Sequence, residues 1–149
     1  MTSIAIVTGA GTGVGRASAV KLSEVGYTVI LIGRRKDKLE ETKTVCNAHA
    51  VVFPMDVSRE TDVKKCFEMV EETFSRVDVL FNNAGIFLSS KTIDEINFNE
   101  WKEVVDVNLN GMFLFSKYAF TLMKRQSPRG GRIINNGSVS STAPRPGSI

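Results

Sequence analysis

Residues 3–35 read SIAIVTGAGTGVGRASAVKLSEVGYTVILIGRR, and this stretch decides the fold. The short β-branched run from Ile4 to Val7 is typical of a buried strand, and glycines follow it at four alternate positions. Apolar residues then recur at helical spacing as far as Gly26, a residue type that often ends helices. The apolar run YTVILI predicts a second strand of the doubly buried kind found in parallel sheets. The stretch therefore predicts a strand, a glycine turn, a helix and a second strand.

The same alternation continues along the rest of the chain. Helices are predicted at 37–48, 60–76 and 99–125, and further strands within AVVFPMD (50–56), VDVLFNNAG (77–85) and GRIINNGS (131–138). Five strands separated by helices indicate an α/β fold with a doubly wound parallel sheet. Ligands of such sheets bind at the carboxyl ends of the strands. We expect one domain over residues 1–149, because neither a linker nor an internal repeat interrupts the pattern.

Composition narrows the possible partners. The chain has 149 residues, 42% of them hydrophobic, and a net charge of +3. Basic and acidic residues are interspersed, as in RRKDKLEETK (34–43), so a nucleic-acid partner is not expected. A small molecule that carries phosphate would use the positive balance equally well.

Cysteine use and hydropathy bear on metal binding and location. Cys46 and Cys66 lie far apart and the single His49 is not spaced as a ligand with them, so no metal site is expected. Two isolated thiols are typical of a reducing compartment. The sequence contains no apolar run of membrane-spanning length and no signal-like start, so we expect a cytoplasmic protein and no membrane partner.

The glycine turn TGAGTGVG (8–15) is the first candidate site. Glycines allow the backbone to approach a pyrophosphate, and the helix that starts near Gly13 offers free N–H groups. The spacing, with Gly9, Gly13 and Gly15, differs from the G-x-G-x-x-G pattern, and a tight turn without a ligand is the alternative. Its candidate cofactor-binding residues are Thr8, Gly9, Gly11, Thr12, Gly13, Val14 and Gly15.

The end of the second strand bears on the choice of cofactor. Proteins that bind NAD usually carry a carboxylate there for the ribose 2′-hydroxyl. This chain has Gly33 followed by Arg34 and Arg35. A guanidinium pairs with a 2′-phosphate, whereas a carboxylate would repel it, so the sequence favours NADP over NAD. The alternative is that both arginines are solvated charges where a helix begins.

Polar residues also follow the third and fourth strands. Asp56 could cap the next helix, a role for which Ser58 is also available, or accept a hydrogen bond from an adenine amino group. In NNAG (82–85) the asparagines suit loop backbone groups, and a structural role is expected for at least one of them. The small residues Ala84 and Gly85 leave space for something to lie against the backbone.

Asn108 lies in the predicted helix 99–125. It falls in an apolar stripe at helical spacing, formed by Trp101, Val104, Val105, Met112, Phe115 and Ala119. A buried amide is costly unless its hydrogen bonds are made, so Asn108 is either a polar plug bonded to nearby backbone or an active-site group that faces the strand ends. Gly111, a poor residue in mid-helix, predicts local distortion or close packing.

Five motifs together carry a family resemblance. They are TGAGTGVG (8–15), MDV (55–57), NNAG (82–85), VNLNG (107–111) and GRIINNGSVSS (131–141). In this order and spacing the sequence resembles the N-terminal portion of the short-chain dehydrogenase/reductase family over essentially its whole length. The resemblance implies an NAD(P)(H)-binding Rossmann-type domain, hydride transfer between nicotinamide and a carbonyl or alcohol substrate, and a homo-oligomer for a full-length form.

The resemblance also implies roles for individual residues. It makes Asp56 an adenine contact with Val57 beside it, and Asn82 a sheet-stabilising residue next to the cofactor. The remaining cofactor-binding residues that it implies are Asn83, Ala84 and Gly85. It makes Asn108 a member of the catalytic relay and Ser138 the hydrogen-bond partner of the substrate oxygen, with Ser140 less favoured.

Family members also need a tyrosine with a lysine one helical turn later, because a phenol requires a nearby cation to exchange protons near neutral pH. Here Tyr27 is followed four residues later by Leu31, and Tyr118 by Leu122. We therefore expect the sequence to stop on the approach to the tyrosine helix, with C-terminal strands and helices missing. Such a chain should be inactive alone, with an exposed fifth strand and uncovered apolar helix faces. A non-catalytic nucleotide-binding or interaction module is the alternative.

Overall fold

A computed structural model describes residues 2–47, 49–88 and 92–143 of the chain. The strands are β1 (Ile4–Thr8), β2 (Thr28–Gly33), β3 (Ala50–Pro54), β4 (Val79–Asn82) and β5 (Arg132–Asn135). The helices are α1 (Gly13–Glu24), α2 (Lys36–Thr44), α3 (Glu60–Phe74), α4 (Phe98–Val105) and α5 (Met112–Arg125). Every predicted strand is present, and the predicted doubly wound, Rossmann-like fold is confirmed.

The five strands form one parallel sheet in the order β3-β2-β1-β4-β5. The chain builds outward from β1 to β3 and then crosses back to place β4 on the other side of β1. The strand order therefore reverses between β1 and β4. In open sheets of this kind the crevice at such a reversal, outside the carboxyl ends of the strands, is where ligands bind.

Side chains that alternate along the central strands form two cores. Ile4 and Ile6 of β1 belong to the core under α3 and α5, while Ala5 and Val7 belong to the core under α1 and α2. Because both faces are covered, β1 is buried at every residue, as its continuous apolar sequence predicts.

The fully buried residues of helix α1 all have small side chains. The buried positions are Gly15, Ala19 and Ser23, whereas Ala17 is exposed and Val25 is 64% exposed. Small side chains allow α1 to pack close to the sheet. This close packing holds the first turn of α1 against the glycine turn.

The predicted helix 99–125 is interrupted by a wider turn. Between α4 and α5 the residues Asp106–Gly111 are π-helical, a form that often occurs at functional sites. A Cβ on Gly111 would lie 3.0 Å from Cγ2 of Val57, so glycine permits close packing there. The distortion predicted at Gly111 is confirmed.

Some predicted boundaries shift. Helix α2 ends at Thr44, and the residue predicted to close it, Ala48, lies outside the described residues, as do residues 144–149. Within the described chain β5 is an edge strand, and three of its four residues are exposed. None of the described helices is long and apolar enough to cross a membrane. Exposed aromatic side chains on the helices that follow β4 are Phe98, Trp101, Phe113 and Phe120.

Candidate functional site

A cleft of about 270 Å³ lies at the carboxyl ends of the strands, at the reversal between β1 and β4. The segments that follow β1, β2, β3 and β4 all contribute to its wall. The structure brings ten predicted cofactor-binding residues to this wall: Gly9, Gly11, Thr12, Arg34, Arg35, Asp56, Val57, Asn83, Ala84 and Gly85. Thr8 and Asn82 lie beneath it, and Gly13, Val14 and Gly15 belong to the first turn of α1.

Thr8 ties the glycine turn to the loop after β4. Its Oγ1 accepts hydrogen bonds from the backbone N–H of Asn83 at 2.8 Å and of Ala84 at 2.9 Å, and the hydroxyl donates to the carbonyl of Phe81 at 3.4 Å. The amide of Asn83 donates in return to the carbonyl of Thr8 at 3.1 Å. The two loops on either side of the strand reversal are therefore held at a fixed separation.

The glycines of the turn are needed for close approach. Gly9 has φ +66°, and a Cβ there would lie 3.0 Å from Cα of Ala84. A Cβ on Gly15 would collide with the carbonyl oxygen of Gly9. Gly13 has φ +54° and faces open space among the described atoms. Larger residues at these positions would separate α1 from the sheet or strain the turn.

The amino end of α1 has no side-chain cap. Thr12 occupies the N-cap position, but in the described structure its side chain makes no hydrogen bond to the first turn. The turn holds no acidic residue either, so the positive end of the helix dipole is not neutralised locally. Thr12 also lines the cleft, which makes this end of α1 suited to an anionic group.

Asn82 links three elements below the cleft. Its Nδ2 donates to Oγ of Ser116 on α5 at 3.0 Å and to Oδ1 of Asn135 on β5 at 2.9 Å. Asn82 is buried, so these bonds replace those it would make with water. Its contacts are those of a residue that joins β4, β5 and α5.

A cluster of cations lines one end of the cleft. Arg34 and Arg35 follow β2, and Lys38 lies in α2 beside Gly11, where a Cβ on the glycine would be 3.0 Å from Cβ of Lys38. Lys38 was missed from the sequence, where it is one charge within a mixed run. Its Nζ pairs with Oε1 of Glu41 at 2.6 Å, whereas Arg34 reaches Glu103 on α4.

Asp56 is half-buried on the cleft wall and uses one oxygen for a tight turn. Oδ1 accepts hydrogen bonds from the backbone N–H of Ser58 at 3.0 Å and from its hydroxyl at 2.7 Å. Partial burial alone would raise the pKa of Asp56, but these bonds, with the nearby charges of Arg34 and Arg59, lower it below its usual value. Arg59 is the N-cap residue of α3, so the helix-capping alternative for Asp56 or Ser58 was wrong.

Asn108 is exposed, and the expectation that it lies in a buried stripe was wrong. The π-helical turn adds a residue to the helix, which buries Val107 and Gly111 instead. The amide still makes two good bonds: Oδ1 accepts from the N–H of Ile86 at 2.8 Å, and Nδ2 donates to the carbonyl of Ile86 at 2.8 Å. Asn108 also lines a cavity of about 30 Å³, together with Thr8, Asn82, Ala84 and Asn136.

Ser138 lies past the end of β5 and starts a short turn. Its Oγ accepts a hydrogen bond from the N–H of Ser140 at 3.1 Å, and the residue is exposed. Neither the described cleft nor the small cavity is lined by Ser138; Asn136 reaches the cavity instead. Asn136 donates from Nδ2 to Oδ1 of Asn83 at 3.0 Å, a contact that the sequence does not predict.

Metal ligation has no support in the described chain. Among residues 2–47, 49–88 and 92–143, no group of three or more His, Cys, Asp or Glu side chains is placed to hold a metal ion. Cys46 and Cys66 are both free thiols.

The parallel sheet, the glycine turn after β1 and the cleft at the strand reversal define a Rossmann-like α/β protein. The sequence profile described as short chain dehydrogenase matches residues 3–149. The chain belongs to this family, as the sequence motifs predict.

Individual relatives are similar over most of the chain. An uncharacterized oxidoreductase of Staphylococcus aureus is 41% identical over 138 residues, which cover 92% of this chain and 58% of that protein. The solved 3-ketoacyl-(acyl-carrier-protein) reductase of Brucella melitensis, complexed with NADH, has a TM-score of 0.92 at 28% identity, covering 98% of this chain and 61% of that one.

A metagenomic short-chain oxidoreductase in complex with NADP has a TM-score of 0.91 at 29% identity, covering 98% of this chain and 66% of that one. The present chain spans 58% of the length of the Staphylococcus aureus oxidoreductase that it matches.

Proposed function

We propose that this chain binds NADP(H) and forms the cofactor-binding part of an oxidoreductase that transfers hydride between nicotinamide and a carbonyl or alcohol substrate. The observation that carries the proposal is the glycine-lined cleft at the strand reversal, with cations at one end. The similarity of the chain to two solved structures, one complexed with NADH and one with NADP, supports a nicotinamide cofactor. NADP rather than NAD is our own inference from the basic end of the cleft.

The glycine turn suits a pyrophosphate. Gly9 and Gly11 place backbone without side chains on the cleft wall, and Thr12 begins a helix whose N–H groups are not capped by its side chain in the described structure. Negative charge is favoured at such a helix end by the dipole and by the free donors. In this proposal the pyrophosphate lies against Gly11 and Thr12.

The end of β2 suits a 2′-phosphate. Three cations, Arg34, Arg35 and Lys38, line this part of the cleft, and Gly33 stands where an NAD-binding protein usually has its carboxylate. A guanidinium can bond two phosphate oxygens at once and an ammonium adds a point charge. These side chains support NADP over NAD.

The wall opposite the glycine turn suits adenine. The bonds to Ser58 occupy Oδ1 of Asp56, which leaves its second oxygen as the acceptor for an adenine amino group. Because the pKa of Asp56 is lowered, the residue is an acceptor rather than a donor at neutral pH. Val57 and Val107 supply apolar surface beside it.

A nicotinamide cofactor held in this cleft would supply the hydride chemistry. The chain's own part is to position the reacting groups: Asn108 fixes the backbone of Ile86 on the cleft wall. In this proposal the Ser138 hydroxyl donates a hydrogen bond to the substrate oxygen. None of the tyrosines in these 149 residues has a lysine four positions later. We therefore propose that these residues alone bind cofactor without turnover, and that carbonyl reduction belongs to a longer protein.

Charge patterning and the cysteines bear on partners and location. The partner is a small carbonyl or alcohol compound and not a nucleic acid, since basic and acidic residues are interspersed along the sequence. We propose a homo-oligomer for the full-length form and a cytoplasmic location, the latter because both cysteines are free thiols.

Fluorescence titration with NADPH and with NADH tests the proposal. NADPH should bind at one site and more tightly than NADH. Arg34→Asp should raise the Kd for NADPH by about tenfold or more and leave NADH binding nearly unchanged. Arg129→Asp, which alters the exposed loop before β5, is the charge-matched control and should change neither Kd. An unchanged NADPH affinity in Arg34→Asp would contradict the role given to Arg34.

A further inference from the structure

Arg34 is shared between two neighbouring clefts. It lines the large cleft described above and also a second, polar one, whose other walls include Asp56, Lys102, Glu103 and Asp106. Across this second cleft Nη1 of Arg34 lies 4.0 Å from Oε1 of Glu103 on α4. The cation assigned to a 2′-phosphate is therefore already paired with a carboxylate.

We propose that Glu103 is a specificity-determining residue that weakens the binding of NADP(H) relative to NAD(H) by competing for Arg34. The inference rests on the proposed function, since it concerns the same cofactor site. It assigns to α4 a role in cofactor choice that the motifs at the strand ends do not indicate.

The competition is electrostatic. A 2′-phosphate that pairs with Arg34 must either draw the guanidinium away from Glu103 or accept the carboxylate as a close negative neighbour, and both cost free energy. NAD(H) carries a neutral hydroxyl at this position and does not compete for the guanidinium. Removing the Glu103 charge should therefore favour only the phosphorylated cofactor.

The neighbouring charges do not offset Glu103. Lys102 pairs with Asp106, with Nζ 3.9 Å from Oδ2, so its charge is partly neutralised within α4 and the π-helical turn. Oδ1 of Asp56 is held by Ser58. Asp56 also lies near Arg34, whose charge helps to lower the pKa of Asp56, but Glu103 is the carboxylate that the described structure places within ion-pair distance of the Arg34 guanidinium.

The size of the effect follows from exposure. The Arg34 and Glu103 side chains are 59% and 62% exposed, so water and salt screen their interaction. Exposed pairs of this kind correspond to changes of about two- to fivefold in an equilibrium constant. We expect an effect of that size at low ionic strength, shrinking as salt is added.

The test compares Glu103→Gln with the wild type for NADPH and NADH at low salt. Glu103→Gln should lower the Kd for NADPH about two- to fivefold and leave that for NADH unchanged. Glu68→Gln is the matched control: it removes the same charge from the Lys64–Glu68 pair on α3, at 3.7 Å and with Glu68 54% exposed. This control should alter neither Kd.

A second pair of variants tests whether Glu103 acts on cofactor binding through Arg34. In an Arg34→Gln background, Glu103→Gln should no longer change the ratio of the two Kd values. If the wild type binds NADPH but Glu103→Gln leaves that ratio unchanged, the inference is wrong and the proposed function stands. The inference is also overturned if Glu103→Gln lowers both Kd values equally. It is overturned as well if the control Glu68→Gln lowers the Kd values in the same way. A wild type that binds neither cofactor would overturn the proposed function and this inference with it.

Discussion

The side-chain amide of Asn108 pairs with both backbone groups of Ile86, accepting from its N–H and donating to its carbonyl, each at 2.8 Å. One residue of the π-helical turn thus completes the hydrogen bonding of the loop that leaves β4. Gly85 lies directly alongside, since a Cβ there would be 3.5 Å from Oδ1 of Asn108. The wall of the cleft after β4 therefore depends on α4 and α5 as well as on the sheet.

Replacing Asn108 by Ala should destabilise this wall. Two hydrogen bonds are lost while the Ile86 groups keep only water as a partner, so we expect the free energy of unfolding to fall by about 1–2 kcal/mol. Urea denaturation measures it. Asn110→Ala removes an exposed helix-surface bond to Asp106 and should cost less than about 0.5 kcal/mol. Equal losses in the two variants would show that the Ile86 contact has no special role.

Gly15→Ala tests the packing of α1 on the glycine turn. Alanine is favoured over glycine inside a helix by about 1 kcal/mol, so propensity alone predicts a more stable protein. The collision of the new Cβ with the carbonyl oxygen of Gly9 should reverse this and destabilise the fold by about 1–3 kcal/mol. Gly137→Ala, where no described atom lies within 4 Å of the new Cβ, should be nearly neutral. A stabilised Gly15→Ala protein would contradict the close contact.

Asp78 should make stability depend on pH in the acid range. Partial burial would raise its pKa, but Arg76 and the N–H of Ile4, which donates to Oδ2 at 2.8 Å, lower it. Since the folded pKa lies below the ordinary value of 3.8, this stabilisation is present above about pH 4 and is lost as the pH falls through the folded value.

Asp78→Asn should therefore reduce the free energy of unfolding by about 1–2 kcal/mol at pH 7, and the difference from the wild type should shrink below pH 4. Thermal denaturation across this range measures it, with Glu72→Gln on the surface of α3 as the control. A difference that stays constant with pH would mean that the charge of Asp78 is not responsible.

The two thiols should differ in reactivity. Burial raises the pKa of Cys66 to about 12, whereas Cys46 is only half-buried beyond the end of α2. Because the thiolate is the reactive form, a disulfide reagent at pH 8 should modify one thiol in the folded protein and two in urea. Rapid reaction of Cys66 in the folded state, traced by Cys46→Ser, would contradict its burial.

Much of the fold could be predicted because it depends on local patterns. The continuous apolar runs of β1 and β2 specify strands that are buried on both faces. The glycine turn and the helical pattern between them specify the unit of β1, α1 and β2. The positions of Arg34 and Asp56 at strand ends follow directly, since parallel strands bring their carboxyl ends to one edge.

Some predictions were wrong because they assumed a regular helix. Other contacts could not be predicted because they join residues that are far apart in the sequence. Asn108 was expected on a buried stripe of period 3.6, but a π-helical turn changes that period. In α1 the buried face consists of small residues such as Ala19, which an apolar pattern does not favour over Val25. The pairing of Arg34 with Glu103 joins residues far apart in the chain and requires the fold to be known.

The central claim is that NADP(H) occupies the cleft between the glycine turn and the loop after β4. Amide chemical shifts of the ¹⁵N-labelled chain, followed during titration with NADP⁺, test it most directly because glycine amides are well separated. Gly11, Gly13 and Gly85 should shift in a saturable way, while Gly26 and Gly130, at the opposite end of the sheet, should not. No shifts, or shifts as large at Gly26 and Gly130, would contradict the account.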